Sequence, residues 1–258
     1  MQFLDVTLPT LEENLALDEA LLDAAEGGRG AGAVLRVWEW SAPAVVLGRA
    51  SRAAQEVRLD RCRFHNVPVV RRCSGGAAVV IGPGCWMYTL ILPISPDISR
   101  RPDRMHAAVL NPIAAALAAC VPGVVRAGTS DLARDAAPAG DAESAPPGRP
   151  PVRDPAPRKF SGNSLRCRRG RLLYHGTMLY DFDVSLVGEL LTMPPRRPDY
   201  RGERDHADFL CNLPLDRAAL CRTMRTVWDA WEPLTELPLT ELQALLPRYR
   251  DPAWHFEL

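Results

Sequence analysis

The sequence predicts a mixed α/β fold, and three features carry that reading. Apolar residues recur with helical spacing in a first segment closed by a glycine pair, short β-rich runs then alternate with glycine and proline turns, and an alanine-rich apolar stretch follows them. Residues 10 to 28 open with Thr10 and Glu13 at capping-box spacing, continue through Leu11, Leu15, Leu17, Leu21 and Leu22, and stop at Gly27-Gly28. Such a segment is an amphipathic helix. Val34 to Trp40 and Ala44 to Leu47 read as strands on either side of the Ser41-Ala42-Pro43 turn, and Ser51 to Cys62 as a short helix. Val69 to Arg72, Ala77 to Ile81 and Trp86 to Leu92 read as three further strands. Met105 to Cys120 has the composition of a buried helix, and Val124 to Arg126 that of a short strand.

From Arg134 to Arg158 the composition shifts to Ala, Pro, Gly, Asp and Arg, with seven prolines and no aromatic residue. Such a segment cannot build a core, so a disordered insertion is expected at 134–157. Lys159 to Cys167 and Arg171 to Asp181 follow as two strands of a hairpin across Arg168-Arg169-Gly170. Centring that turn on Arg169 sets Asn163 opposite His175 and Ser161 opposite Thr177, with Lys159, Ser161, Asn163, His175 and Thr177 on one face. The part from about 196 onward reads as helical, in Leu215 to Trp231 and Thr240 to Leu246. At 258 residues the length suggests one large domain or two small ones, and the chain is read as a single domain.

Composition excludes several classes of function. The 31 basic and 31 acidic side chains cancel, which leaves no surplus for a nucleic-acid or membrane-surface footprint. No run is long enough to span a bilayer, and Met1 to Thr10 has no signal-peptide pattern, so a cytoplasmic location is expected. Seven cysteines without a C-x-x-C pair indicate neither a disulfide framework nor a zinc site.

Of the 31 basic residues, only Lys159 is a lysine. A compact ammonium does chemistry that a planar guanidinium cannot, which singles out its surroundings. Arg71-Arg72-Cys73-Ser74-Gly75-Gly76-Ala77-Ala78 lies between two strands. Two readings fit it: a loop whose N–H groups converge on an anion with Arg72 added, or an ordinary Gly-Gly turn with solvated arginines. The polar strip around Lys159 and His175 is likewise either catalytic or solvent-facing. Asp131, in Gly128-Thr129-Ser130-Asp131-Leu132, either meets a metal and a phosphate or caps a turn.

At these residues the sequence resembles the lipoate-protein ligase A family, within the biotin and lipoate protein ligases. The motifs are Trp40-Ser41-Ala42-Pro43 with Leu47-Gly48-Arg49, Arg71-Arg72-Cys73-Ser74-Gly75-Gly76, Ser130-Asp131-Leu132, Arg158-Lys159-Phe160-Ser161-Gly162-Asn163 and His175-Gly176-Thr177, in family order from the first helix to about Pro195. The resemblance implies a class II synthetase-like mixed sheet with flanking helices. It implies activation of lipoate or octanoate with ATP and Mg2+ to an acyl-adenylate, then transfer to a lysine of a lipoyl domain. Acceptors would be the lipoyl domains of 2-oxoacid dehydrogenases or the glycine cleavage H protein, with a separate accessory protein needed by some members.

By the same resemblance Lys159 is the catalytic residue, facing the charge between carboxylate and α-phosphate. Arg72 with Ser74, Gly75, Gly76, Ala77, Ala78, Val79 and Val80 holds the nucleotide. Asp131, Ser161, Gly162, His175 and Thr177 complete the pocket, and no metal ligand is assigned. Ala77, Ile81 and Gly82 stand where the family has a third glycine and a His-Asp pair, and Cys85 where it often has Asn. The competing reading is an octanoyltransferase that carries the acyl group on a cysteine. Residues 127 to 158 hold no cysteine, and Cys73 and Cys85 flank the glycine loop. A non-catalytic relative that binds the acyl group is the third reading.

Overall fold

The computed structural model describes residues 1–29, 32–94, 101–135 and 156–257. Most of the expected insertion, 136–155, lies outside the described residues. The larger sheet has eight strands, in the order β11 (Glu232–Pro233), β1 (Gln2–Asp5), β2 (Val34–Glu39), β6 (Cys85–Pro93), β10 (Arg171–Leu179), β9 (Arg158–Cys167), β8 (Asp131–Arg134) and β7 (Val124–Ala127). The first two pairings are parallel and the others antiparallel, so the sheet is mixed, as the sequence predicts. A second sheet of three strands has β3 (Ala44–Leu47) between β4 (Val69–Arg71) and β5 (Val79–Ile81).

Alternation along the strands feeds two cores. Val34 and Trp38 of β2, Ile91 of β6 and Leu173 of β10 meet α1 (Leu11–Glu26) and the smaller sheet on one face. Leu35, Tyr88, Leu90 and Tyr174 meet α4 (Pro102–Cys120) on the other. A sheet covered on both faces explains why β6 reads as a nearly continuous apolar run.

α1 begins where its capping box predicts. The Thr10 hydroxyl accepts from the Glu13 N–H at 3.2 Å, and the Glu13 carboxylate accepts from the Thr10 N–H at 3.1 Å. The helix expected at 51–62 is two short helices, α2 (Ala53–Glu56) and α3 (Leu59–Phe64), because Val57 between them makes an antiparallel bridge to Leu191. β1 and β11 have no clear strand pattern in the sequence. They are short pieces that gain their ladders only from β2 and each other.

Beyond α5 (Ser185–Leu190) come a 3-10 turn at Asp199–Arg201 and the helices α6 (His206–Phe209), α7 (Arg217–Val227), α8 (Leu239–Tyr249) and α9 (Pro252–Phe256). α7 stops short of Trp231, with Asp229 in the left-handed region at φ 46°. α8 docks on α1, where the fully buried Glu19 carboxylate accepts from the Tyr249 hydroxyl at 2.8 Å and pairs with Arg248. Arg71 reaches α9, donating to the Trp254 and His255 carbonyls.

Thr10→Ala removes one half of the capping box and is expected to cost about 1 kcal/mol, read from the urea midpoint, with Thr10→Ser restoring most of it.

Candidate functional site

The hairpin of β9 and β10 carries the centre of the site, in a register one residue away from the expected one. Arg168 N–H donates to the Arg171 carbonyl at 2.8 Å, closing a two-residue turn over Arg169 and Gly170 whose N–H groups are held by Glu26. The turn centre therefore falls between Arg169 and Gly170. His175 lies opposite Ser164, and Gly176 opposite Asn163. A second displacement comes from β8: Leu132 pairs with Ser161 but Ala133 with Lys159, so Phe160 is the extra residue of a bulge.

Together these shifts correct the expected polar face. Lys159 lies over Gly162, its Nζ 2.8 Å from where a glycine-replacing Cβ would stand. Thr177 joins them, its hydroxyl accepting from the Gly162 N–H at 3.5 Å. Ser161 and Asn163 instead pair with one another at 3.1 Å, and Asn163 accepts from the Tyr88 hydroxyl at 2.5 Å on the α4 side. Gly176 is the position that makes room for the Asn163 amide, since a Cβ there would lie 1.8 Å from its oxygen.

Lys159 Nζ is 2.8 Å from Asp131 Oδ1, with a quarter of the lysine side chain exposed. The other oxygen of Asp131 accepts from the Tyr200 hydroxyl at 2.8 Å. Burial and the adjacent Asp131 carboxylate push the Tyr200 hydroxyl pKa up, which keeps it a donor. Tyr200 also lines a cavity of about 400 Å³ with Gly128, Thr129, Pro198 and Asp199. The backbone of Lys159 is fixed by the C-terminal part, its carbonyl accepting from the Cys211 N–H at 2.9 Å.

The glycine loop lies across the same hairpin. Gly75, Gly76 and Ala77 are exposed, while Cys73 and Ser74 beneath them are buried. Arg72 is turned inward: Nε donates to the Ser74 hydroxyl at 3.1 Å, Nη1 to the Val46 carbonyl at 3.0 Å, and Nη2 to the Gly75 and Ala77 carbonyls. Burial lowers its pKa to about 10, so it stays a cation at neutral pH. Gly48 admits the loop, because a Cβ there would stand 1.8 Å from the Gly76 carbonyl oxygen. Ala78 N–H donates to the buried Glu56 carboxylate at 2.7 Å, which is why β5 begins at Val79 and not at Ala77. Val80 is a core residue of β5.

A buried polar chain runs beneath the loop. His175 Nε2 is 2.5 Å from the Ser74 hydroxyl, and its Nδ1 is 3.2 Å from Asp18 Oδ2. Asp18 Oδ1 accepts from Arg36 at 2.5 Å, and Arg36 is further held by Asn14. Burial raises the Asp18 carboxyl pKa, but the Arg36 guanidinium and the His175 ring outweigh it, and the carboxyl lies below its ordinary value. Sequence reasoning missed Asp18, Arg36, Glu56, Ser164 and Tyr200. Asp18 did leave a signal, a carboxylate at the i+7 position of the Leu11, Leu15, Leu22 stripe of α1.

The two cysteines that flank the loop are poor nucleophiles as they stand. Both are fully buried, burial pushing the Cys73 thiol up to about 12 and raising Cys85 as well. Among the described residues no group of three or more His, Cys, Asp or Glu side chains is arranged to hold a metal, and no helix is long and apolar enough to cross a membrane.

A large mixed sheet flanked by helices is the fold of the lipoate ligase class of synthetase-like α/β domains. Residues 10–214 match the lipoyl protein ligase A/B catalytic domain, and the chain belongs to that family. It is 30% identical to a putative lipoate-protein ligase A of Aeropyrum pernix over 74% of this chain and 61% of that protein. It is 29% identical to octanoyltransferase LipM of Geobacillus kaustophilus over 74% of this chain and 69% of that one. The match to octanoyltransferase LipM of Carboxydothermus hydrogenoformans is 46% identical but spans only 26% of this chain and 25% of that protein. Among solved structures, a bi-partite lipoate protein ligase of Thermoplasma acidophilum superposes with a TM-score of 0.76 at 19% identity, covering 98% of this chain and 95% of that one. A lipoate-protein ligase A bound with ATP superposes with a TM-score of 0.72, also at 19% identity, covering 99% and 98%. The relatives it matches are thus named lipoate-protein ligases and octanoyltransferases, and the chain spans between 25% and 69% of the length of these three.

Two outcomes follow from this geometry. Gly162→Ala is expected to fold with a melting temperature near that of the wild type, since the Cβ meets only the flexible end of Lys159, and to reduce acyl transfer by displacing the ammonium. Asp18→Asn strands Arg36 as a buried unpaired charge and is expected to cost about 3–5 kcal/mol in urea unfolding. Because the Asp18 pKa is depressed in the folded state, its contribution is present above the ordinary carboxylate value of 3.8 and is lost as pH falls through the folded value. Acid titration of the wild type should show that loss, and the asparagine variant should lack it.

Proposed function

We propose that the chain activates lipoate or octanoate with ATP to an acyl-adenylate and passes the acyl group to a lysine of a lipoyl domain. The observation that carries this reading is the position of Lys159, whose ammonium lies against Asp131 on the hairpin face that the glycine loop covers, in space left open by Gly162. A point cation there neutralises the charge that accumulates when a carboxylate attacks a phosphate, and again when an amine attacks the acyl carbonyl. The glycine loop and the lysine hold carboxylate and phosphate together, which removes much of the entropic barrier to their reaction. Thr177 and His175, further along the same face, line the acyl end. In the first step the acyl carboxylate displaces pyrophosphate from the α-phosphate, and in the second the acceptor amine displaces AMP.

Magnesium is implied by the family and fits a site with one suitable carboxylate, since it is commonly held by one or two carboxylates and the substrate phosphates. Asp131, whose two oxygens meet the Lys159 ammonium and the Tyr200 hydroxyl, is the carboxylate on this face that would hold it. The metal, when bound, supplies charge neutralisation at the phosphates.

A second reading is octanoyl transfer from an acyl carrier, favoured by the relatives named octanoyltransferase LipM. The buried Cys73 and Cys85 with raised thiol pKa values support the adenylate route over it. Acceptors of the lipoyl-domain class agree with the Thermoplasma acidophilum neighbour, described together with its E2 lipoyl domain. Its bi-partite description also supports assays with an accessory protein added.

Labelled pyrophosphate should exchange into ATP when lipoate is present and persist after mild thiol alkylation. A covalent octanoyl mass that hydroxylamine removes would establish the transferase reading instead. Lys159→Ala should lower transfer from lipoyl-adenylate by at least about 100-fold with the fold intact, and Lys159→Arg almost as much, because the guanidinium is wider and aims its donors differently. Full activity in the arginine variant would remove Lys159 from this role.

A further inference from the structure

We propose that Asp18 and Ser74 are positioning residues that act through His175: they hold its ring as a donor at Nδ1 and an acceptor at Nε2, and so fix the glycine loop on the hairpin beside Lys159. The inference deepens the acyl-transfer reading above and rests on it for its functional consequence.

With the His175 ring neutral, the direction of every hydrogen bond in the chain follows from the groups present. Asp18 is an ionised carboxylate and can only accept, so His175 Nδ1, 3.2 Å from Oδ2, carries a proton. The other Asp18 oxygen is taken by the Arg36 guanidinium at 2.5 Å. A neutral ring protonated at Nδ1 has a lone pair at Nε2, so the Ser74 hydroxyl 2.5 Å away is its donor. Ser74 in turn receives the Arg72 Nε–H at 3.1 Å. The donors run inward from Arg36 on one side and from Arg72 through Ser74 and His175 on the other, and both series end on Asp18. With the ring so fixed, the serine hydrogen has one direction.

The consequence is registration of the loop. Opposite His175 in the ladder stands Ser164, whose hydroxyl donates to the Gly75 carbonyl at 2.8 Å. Neighbouring residues of the two strands thus grip Ser74 and Gly75, the start of the glycine loop. Thr177, bonded to the Gly162 N–H under the Lys159 ammonium, is two residues from His175, roughly 7 Å along the strand. A substrate that bridges loop and lysine depends on that spacing. An error in loop position then appears in the rate of reaction more than in binding.

Two measurements on the full chain test the inference. The first is long-range proton–nitrogen correlation NMR of His175 near pH 8, assigned with His175→Asn and independent of any activity. Wild type should show the Nδ1-protonated ring with Nε2 as an unprotonated acceptor, and Ser74→Ala should shift the Nε2 resonance while leaving Nδ1 protonated. An Nε2-protonated ring in the wild type would overturn the inference. The second is single-turnover transfer from synthetic lipoyl-adenylate to a lipoyl domain. Ser74→Ala should lower kcat about 10- to 100-fold with KM changed less than about 3-fold, and Ser74→Thr, which keeps the hydroxyl, should recover most of it. Wild-type kcat in a folded Ser74→Ala protein would also overturn it, as would an acyl ester on Ser74, which would make the serine a nucleophile. If wild type transfers from neither lipoyl-adenylate nor an acyl carrier, the functional reading fails, and the ring state alone still decides whether Asp18 and Ser74 fix His175.

Discussion

A carboxylate removed from water has to place both of its oxygens, and Asp18 places them on two different strands of the large sheet. It projects from α1, takes the Arg36 guanidinium of β2 on one oxygen and the His175 ring of β10 on the other. Neither charge of the Asp18–Arg36 pair is solvated, so each is tolerable only while the other is in place. The helix, the centre of the large sheet and, through Ser74, the glycine loop are thereby held in one relative position.

Close approach of backbone is the second constraint, and particular glycines make it possible. Gly48 lets the segment after β3 lie against the Gly76 carbonyl, and Gly162 leaves the volume that the Lys159 ammonium fills. Gly84, at φ 78°, meets the backbone of Asp181 where a Cβ would stand 2.1 Å away, which joins the start of β6 to the end of β10. These contacts replace side-chain packing around the site with direct backbone contact. The polar groups of the loop are then satisfied by Arg72, Ser51, Ser164 and Glu56.

The lysine is defined by what surrounds it more than by its own burial. Asp131 balances its charge, Tyr200 holds the second oxygen of Asp131, and the Cys211 N–H fixes its backbone carbonyl. Two of these three supports come from the part of the chain beyond residue 196. That part thus contributes to the site as well as to the outer surface.

Local chemistry determined much of this protein from the sequence alone. The capping box set the start of α1, glycine and proline turns bounded the strands from Val34 to Leu92, and the single lysine with its glycine and serine neighbours marked out the candidate site. Those signals are legible because each acts within a few residues of where it is written. The tertiary structure decided the hairpin register and the bulge at Phe160, which together moved Ser161 and Asn163 away from Lys159, His175 and Thr177. It also decided which distant groups complete the site, bringing Asp18 to His175 across 157 residues and Tyr200 to Asp131 across 69. A one-residue shift costs little in local propensity but turns a side chain to the opposite face of the sheet, so only the packing of both faces and the pairing of neighbouring strands could select it.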